Sequence, residues 1–162
     1  MTIPVAELVF VDTNVLLAAT DEDRPSHDDA QTVLEQCRLT GRHLALNQQV
    51  IREYLVVATR PVNVNGLGLK PDLALENVDQ ILRFVNLLDD EPATLEVLLE
   101  LVQSSQIKGK RIHDAAIVAS MAVHGIDWIV TDNPMDFQGI LSGSTISIRE
   151  LAALVSVEPP TR

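Results

Sequence analysis

The alternation of short apolar runs with longer segments of helical periodicity is the feature that most constrains the fold. Three of the runs, at residues 7–11 (ELVFV), 43–46 (HLAL) and 127–131 (DWIVT), have the length of buried strands. The segments between them place apolar residues at helical spacing and are bounded by proline, asparagine or glycine. Strands and helices that alternate in this way predict an α/β fold, a three-layer α/β/α sandwich with a central, mostly parallel sheet.

The remaining elements follow from the same signals. We predict helices at residues 25–39, 48–59, 71–87, 92–105, 112–123 and 149–155, and short strands at 87–90 and 145–148. The tripeptide Asp12-Thr13-Asn14 after the first strand predicts a turn or a helix cap. Because the sequence contains no repeat, linker or low-complexity segment, we expect residues 1–162 to form a single domain.

Composition limits the location of the protein. Cys37 is the single cysteine, which excludes an internal disulfide and fits a reducing cytosol. The apolar stretch 5–19 is interrupted by Glu7 and Asp12, has no basic start, and is too short and too charged to span a bilayer. We therefore expect a cytoplasmic protein that has no contact with a membrane.

Four carboxylates are predicted to meet at one edge of the sheet. Asp12 and Asp132 each follow a predicted strand, and open parallel sheets bind ligands outside the carboxyl ends of their strands. Glu53 lies in the first half of a helix that leaves this edge. Asp114 begins the helix that feeds into strand 127–131, so that helix must start at the same edge. The sequence therefore predicts a cluster of these four acids.

Each acid taken alone also has a structural explanation. Asp12 and Asp114 can cap helices, and Asp132 lies in a turn-forming sequence. Glu53 borders an apolar helical face, where a carboxylate without a partner is costly.

Taken together, the four acids favour a cation site. Two carboxylates about 4 Å apart repel by roughly 4 kcal/mol at an effective dielectric near 20, so a cluster must share protons or bind a cation. Oxygen ligands select hard ions, which favours Mg²⁺ or Mn²⁺ over zinc.

These acids lie in segments that resemble the PIN-domain family, which includes VapC-type toxins of bacterial toxin–antitoxin pairs. The segments are VFVDTNVLL (9–17), VIREYL (50–55), RIHDAAIVASMAVHGI (111–126) and IVTDNPMDF (129–137), and they follow the family's order. The resemblance covers roughly residues 7–150. It implies a PIN-like nuclease domain that cleaves single-stranded RNA with one or two divalent ions, Mg²⁺ or Mn²⁺.

The resemblance also implies roles for individual residues. The family's acids fall on Asp12, Glu53 and Asp114, of which Asp12 and Asp114 would bind the first metal ion. Glu53, together with Asp132 or Asp136, would hold a second ion or orient the attacking water. Strand geometry favours Asp132 for this place, whereas the register of the family's closing motif favours Asp136.

Four polar residues would support the acids. Thr13, Asn14 and Thr131 would hold carboxylates or phosphate by hydrogen bonds, although they are equally explained as caps. Asn133 lies in the closing motif and offers an amide oxygen to a metal ion or to bound water.

A formal net charge of −11 argues, by itself, against a nucleic-acid-binding protein. Three cations just before the helix of Asp114, however, are candidates for contacts with the RNA backbone: Lys108, Lys110 and Arg111. An ordinary solvated loop is the alternative interpretation of this segment.

Two protein partners are expected. In toxin relatives an antitoxin tail occupies the carboxylate cleft, and an arginine pairs bidentately with such carboxylates, so we expect a small antitoxin protein. A homodimer is expected from apolar helical surface, with candidates at Leu73, Leu82, Val97 and Leu101. Packing within the monomer is the alternative for these side chains.

Three other functions fit parts of the sequence. A haloacid-dehalogenase-like phosphatase needs an Asp where Asn14 stands, and a receiver domain needs a lysine late in the chain, whereas no lysine follows Lys110. The third alternative is a catalytically silent PIN-like module that binds RNA or protein. Retention of Asp12, Glu53 and Asp114 argues against it.

Overall fold

The structure, a computed structural model, describes residues 7–157 and contains a five-stranded sheet. Its strands are β1 (Leu8–Val11), β2 (His43–Leu46), β3 (Val85–Leu87), β4 (Trp128–Val130) and β5 (Ser144–Ile146). They lie in the order β3-β2-β1-β4-β5, and all four neighbouring pairs are parallel. β1 is therefore the central strand, flanked by β2 and β4.

Seven α-helices surround the sheet in the part of the chain from 7 to 157. They are α1 (Thr13–Thr20), α2 (His27–Gln36), α3 (Gln48–Thr59), α4 (Pro71–Ile81), α5 (Pro92–Ser104), α6 (Arg111–Val123) and α7 (Ile148–Val157). α5 packs against α6, whereas α1 packs against α2 and α3, α2 against α7, and α3 against α4. From β1 the chain moves outward through β2 to β3 and then crosses back over the sheet to β4. Because such crossovers are right-handed, the helices before β3 lie on one face of the sheet, and α5 and α6, which follow β3, lie on the other. The three-layer α/β/α sandwich predicted from the sequence is confirmed.

The pairing of β1 with β4 positions the site. Val11 is in register with Val130, and the backbone N–H of Asp12 donates to the carbonyl of Val130 (3.2 Å). The core around these strands is mostly aliphatic, and Val11 and Val130 are completely buried. Asp12 and Thr131, the next residue on each strand, are consequently neighbours at the carboxyl edge of the sheet.

Several predicted boundaries were wrong. Of the two interpretations of residues 12–14, a turn or a helix cap, the cap is confirmed, because Asp12 is the N-cap of α1; the extent of that helix, Thr13–Thr20, was not predicted. α4 ends at Ile81 rather than at residue 87, and β3 occupies Val85–Leu87 rather than 87–90. Both errors come from apolar sequences whose state is decided by tertiary packing rather than by periodicity.

The predicted dimer residues differ in exposure. Leu73 is exposed, whereas Leu82, Val97 and Leu101 are partly buried, and Leu82 and Leu101 pack against the core. Other leucines of α4, β3 and α5 are largely exposed instead: Leu75, Leu87, Leu95 and Leu99.

Throughout residues 7–157, no helix has both the length and the apolar character that crossing a bilayer demands.

Candidate active site

Asp12 follows β1 directly, and its carboxylate is buried and fully engaged. Oδ1 accepts a hydrogen bond from the backbone N–H of Thr13 (2.7 Å), which makes Asp12 the N-cap of α1. Oδ2 accepts hydrogen bonds from Asn14 Nδ2 (2.8 Å) and from the Thr131 hydroxyl (2.7 Å). Three donors therefore fix the orientation of this carboxylate, and capping and a place in the site are compatible roles.

Thr131 joins the end of β4 to the start of α1. Its buried Oγ1 accepts hydrogen bonds from Asn14 Nδ2 (2.9 Å) and from the backbone N–H of Asn133 (3.0 Å) while it donates to Asp12. The side-chain oxygen of Asn14 in turn accepts from the backbone N–H of Asp132 (3.3 Å). Thr131 and Asn14 therefore hold the segment after β4 against Asp12.

Glu53 lies on the second turn of α3 and is held by two donors. Its Oε2 accepts from the Thr13 hydroxyl (3.0 Å), and its Oε1 accepts from Gln49 Nε2 (2.8 Å). The same Gln49 nitrogen donates to the backbone carbonyl of His113 (2.9 Å), beside Asp114. Two neutral side chains, Thr13 and Gln49, thus satisfy the half-buried carboxylate of Glu53.

Asp114 lies in the first turn of α6, where the charges of three other acids act on it. Burial raises its pKa from 3.8 to about 6, with further contributions from the negative charges of Asp136, Asp12 and Glu53, and Arg111 opposes this rise. Burial also raises the pKa of Asp12, to which Glu53 and Asp136 add, although the hydrogen bonds that Asp12 accepts oppose the rise. Acids from four separate segments therefore interact in one cluster, which we call the acidic cluster: Asp12, Glu53, Asp114 and Asp136.

The two acids after β4 occupy different places. Asp136 lies in a short 3-10 helix, Pro134–Phe137, and its exposed carboxylate is the one whose charge reaches Asp12 and Asp114. Asp132 instead accepts a hydrogen bond at Oδ1 from the backbone N–H of Ile148 (3.1 Å), at the start of α7. The structure thus brings Asp136 into the acidic cluster and directs Asp132 to a helix terminus.

The predicted RNA-binding cations lie beside the cluster in sequence, at the beginning of α6. Lys108, Lys110 and Arg111 are all exposed. Arg111 Nη2 donates to the backbone carbonyl of Gln138 (2.8 Å), which ties α6 to the segment that follows Asp136. Arg111 therefore has a structural contact in addition to its charge.

Comparison with known proteins identifies the family. A family model described as the PIN domain matches residues 9–138, which include every acid described above. The chain belongs to the PIN-domain family. It is similar to the ribonuclease VapC48 of Mycobacterium tuberculosis, at 30% identity over 133 residues, which are 80% of this chain and 91% of the relative.

Two solved structures resemble this PIN domain in fold. One is VapBC2 from Rickettsia felis bound to a DNA fragment from their promoter, with a TM-score of 0.64, 16% identity, and coverage of 86% of this chain and 98% of that one. The other is a toxin–antitoxin complex from Klebsiella pneumoniae, with a TM-score of 0.56, 21% identity, and coverage of 88% and 98%. At these identities the structures show the fold alone, whereas the family match and VapC48 confirm the resemblance to VapC-type PIN domains.

The donor set of this PIN domain suits a hard divalent cation. The acidic cluster offers only oxygen ligands, and the repulsion that helps to raise the pKa of Asp114 would be relieved by a bound cation. Among residues 7–157, no three acidic, histidine or cysteine side chains already stand at metal-ligand spacing. A bound ion would therefore draw the carboxylates closer together than the structure holds them.

Gln49 is the residue of the site that sequence reasoning missed. Its position four residues before Glu53 places the two side chains on the same face of α3. That spacing was the available signal, but glutamine on a helix surface is common and has no chemistry of its own. Its contact with α6 depends on tertiary structure and leaves no trace in the local sequence.

Proposed function

We propose that this PIN domain is a divalent-metal-dependent endoribonuclease that cleaves single-stranded RNA as the toxin of a toxin–antitoxin pair. The observation that carries the proposal is the acidic cluster, in which burial, together with the negative charges of Asp136, Asp12 and Glu53, raises the pKa of Asp114 to about 6. Such mutual repulsion is the signature of a site that binds cations. The relative VapC48, named a ribonuclease, supports the reaction class.

In this proposal Asp12 and Asp114 hold the first cation, Mg²⁺ or Mn²⁺. The ion would lower the pKa of a bound water and stabilise negative charge on the phosphate oxygens. Thr131, Asn14 and the backbone of Thr13 keep the Asp12 carboxylate in one orientation by the three hydrogen bonds described above.

The other two acids of the cluster act on the water or on a second ion. Asp136 is exposed, so its carboxylate can accept a hydrogen bond from the attacking water and orient it. Glu53 contributes a carboxylate whose position is set by Thr13 and Gln49. Asn133 has an exposed side chain and offers a neutral oxygen at the same rim.

The substrate backbone would meet the cations before α6. Lys108 and Lys110 are exposed and belong to the segment that leads into the first turn of α6, where Asp114 lies. They would attract the phosphates that flank the cleaved bond, whereas the net charge of −11 over the whole chain repels RNA elsewhere. The proposal includes a cytoplasmic location, which a toxin directed at the RNA of its own cell requires.

The proposal is tested with the variant Asp12→Asn. Asparagine keeps an oxygen that caps α1, so the fold should persist while the cation loses a charged ligand. We expect the wild type to cleave single-stranded RNA with Mn²⁺ and not with EDTA, and the variant to be slower by about 100-fold or more. Cleavage that survives in Asp12→Asn, or in EDTA, would contradict the proposal. RNA binding without cleavage would instead identify a silent binding module.

We also propose an antitoxin and a second copy of the chain as partners. The Klebsiella pneumoniae structure with a similar fold is a toxin–antitoxin complex, and an acidic cluster can bind an arginine side chain.

The homodimer is proposed from the exposed leucines of α4, β3 and α5, which a second copy of the chain would cover. Light scattering should show a dimer in the wild type and a monomer in Leu99→Glu. The control is Val62→Glu, the same kind of change at an exposed residue of the 3-10 helix Val62–Val64.

A further inference from the structure

Gln49 connects two parts of the site that are distant in sequence. Its Nε2 donates one hydrogen bond to Glu53 Oε1 (2.8 Å) and one to the backbone carbonyl of His113 (2.9 Å). Glu53 belongs to α3, and His113 precedes Asp114 in the first turn of α6. A single amide therefore joins the position of one acid to the helix that carries another.

The contacts of Glu53 show why this amide matters. Thr13 holds Oε2, and Gln49 holds Oε1, so removal of either donor leaves the carboxylate with one fixed oxygen. Glu53 faces the charges of Asp12 and Asp114, which repel it. A glutamate side chain with a free oxygen would rotate away from these charges into solvent.

The chemistry of glutamine suits this position. Its amide donates two hydrogen bonds and carries no charge, so it holds a carboxylate and a carbonyl without competing with a cation for negative charge. A lysine or arginine in the same place would form an ion pair with Glu53 and reduce the attraction of the acidic cluster for a metal ion.

We propose that Gln49 is a positioning residue, which is anchored to the backbone of His113 in α6 and holds Glu53 in the acidic cluster. This inference rests on the proposed function, because it assigns Gln49 a part in binding the divalent cation and in RNA cleavage. Groups that orient metal ligands typically contribute about 10- to 100-fold to metal affinity or activity.

The test compares two identical substitutions at neighbouring residues. Gln49→Met keeps the length of the side chain and removes both donors, whereas Gln48→Met makes the same change at an exposed position. We expect Gln49→Met to bind Mn²⁺ about 10-fold more weakly by calorimetry and to lower kcat by about 10- to 100-fold with little change in KM. Gln48→Met should match the wild type, and the metal-free melting temperatures of all three proteins should be similar.

A double-mutant cycle tests whether Gln49 acts through Glu53. If it does, Gln49→Met should add little to the loss caused by Glu53→Ala, in both Mn²⁺ affinity and kcat. Effects that multiply in the double variant would overturn the inference. So would a Gln49→Met protein that binds Mn²⁺ and cleaves RNA as Gln48→Met does.

Two further outcomes are distinguishable. A wild type that neither binds Mn²⁺ nor cleaves RNA would overturn the proposed function and this inference with it, whereas normal wild-type behaviour with an inert Gln49 overturns the inference alone. If Gln49→Met does not fold, Gln49→Asn replaces it, because asparagine remains polar but is one methylene too short to reach both acceptors. Wild-type Mn²⁺ affinity in Gln49→Asn would then count against the inference.

Discussion

Asp132 and Asp136 are separated by four positions and have carboxylates with different surroundings. Asp136 adds its charge to the acidic cluster, and Asp132 accepts the backbone N–H of Ile148 at the start of α7. That helix is also capped by Ser147 and Glu150, whose side chains bond to each other and to each other's backbone N–H. The loss of Asp132 therefore removes one of several groups that stabilise the start of α7.

The matched variants Asp132→Asn and Asp136→Asn separate these roles. We expect Asp136→Asn to lower the rate of RNA cleavage by about 100-fold and to leave the melting temperature unchanged, because its carboxylate is exposed. Asp132→Asn should retain near-normal cleavage and lose about 0.5 kcal/mol of unfolding free energy, since a negative charge at a helix N-terminus is removed. The opposite order of cleavage rates would show that the carboxyl end of β4, rather than the following 3-10 helix, supplies the fourth acid.

The raised pKa of Asp114 predicts how the metal-free protein responds to pH. Folding raises the pKa from 3.8 to about 6, so between these values the native state binds a proton that the unfolded chain releases. The free energy of unfolding should therefore fall as pH rises from about 4 to about 6, and the loss persists above that range.

Asp114→Asn, which cannot ionise, should remove this loss. We measure the free energy of unfolding by urea titration in EDTA. The variant should exceed the wild type in this free energy by more at pH 7.5 than at pH 4.5. Equal differences at both pH values would mean that Asp114 ionises normally in the folded protein.

At the scale of whole elements, the sequence predicts a strand or helix well where burial is one-sided. α3 has an asparagine cap and apolar residues on one face, and its predicted and observed bounds agree at 48–59. α1 lacks these signals, because five of its eight residues are buried and no polar face marks it as a helix. Only its cap, Asp12, was recognisable in the sequence.

The boundary between α4 and β3 was unpredictable for a different reason. Apolar residues continue beyond Ile81 at spacings that suit a helix, which extended the prediction to residue 87. In the structure Val85 pairs with Leu44 of β2, and this backbone pairing decides the local state. A long-range contact of this kind cannot be derived from local periodicity.

The acids of the site were accessible to sequence reasoning because topology fixes the ends of elements. Asp12 follows a strand, and Asp114 begins a helix, so both had to lie at the carboxyl edge of a parallel sheet. The same argument placed Asp132 there, but it says nothing about the direction of a side chain. The turn after β4 sends Asp132 toward Ile148, a detail that depends on the path of the loop.

Thr131→Val tests the connection between β4 and α1. Valine has nearly the same shape but removes the buried hydroxyl that donates to Asp12 and accepts from Asn14 and Asn133. We expect a loss of about 1–3 kcal/mol of unfolding free energy, because buried polar groups lose a partner. Cleavage should fall as well, since Asp12 loses one of its three donors.

The control for Thr131→Val is Thr145→Val, the same substitution at a half-buried residue of β5. It should change stability and cleavage little. Denaturant unfolding that gave equal losses for the two variants would show that the hydroxyl of Thr131 has no special role.

At the scale of the molecule, charge is the property that most opposes RNA binding. The chain carries a net charge of −11, so productive binding depends on a local positive segment. The double variant Lys108→Ala, Lys110→Ala should weaken the binding of single-stranded RNA and reduce the slope of log affinity against log salt concentration by about 1.4, or about 0.7 for each lysine that no longer neutralises a phosphate. Filter binding at several salt concentrations measures this slope.

Lys70→Ala is the control for the charge prediction. It removes an exposed lysine at the start of α4, outside the segment before α6. An equal reduction of the slope in Lys70→Ala would indicate that RNA responds to total charge rather than to Lys108 and Lys110.

The central place of β1 has a consequence for the synthesis of the protein. β1 leaves the ribosome before the other four strands, and its neighbour β4 and the acid Asp136 are made more than 110 residues later. Until residues 128–137 have been translated and have paired beside β1, Asp12 lacks the hydroxyl of Thr131 and the acidic cluster lacks its last member. A growing chain therefore cannot assemble the site before residue 137 has left the ribosome, and no active nuclease is present beside the ribosome until then.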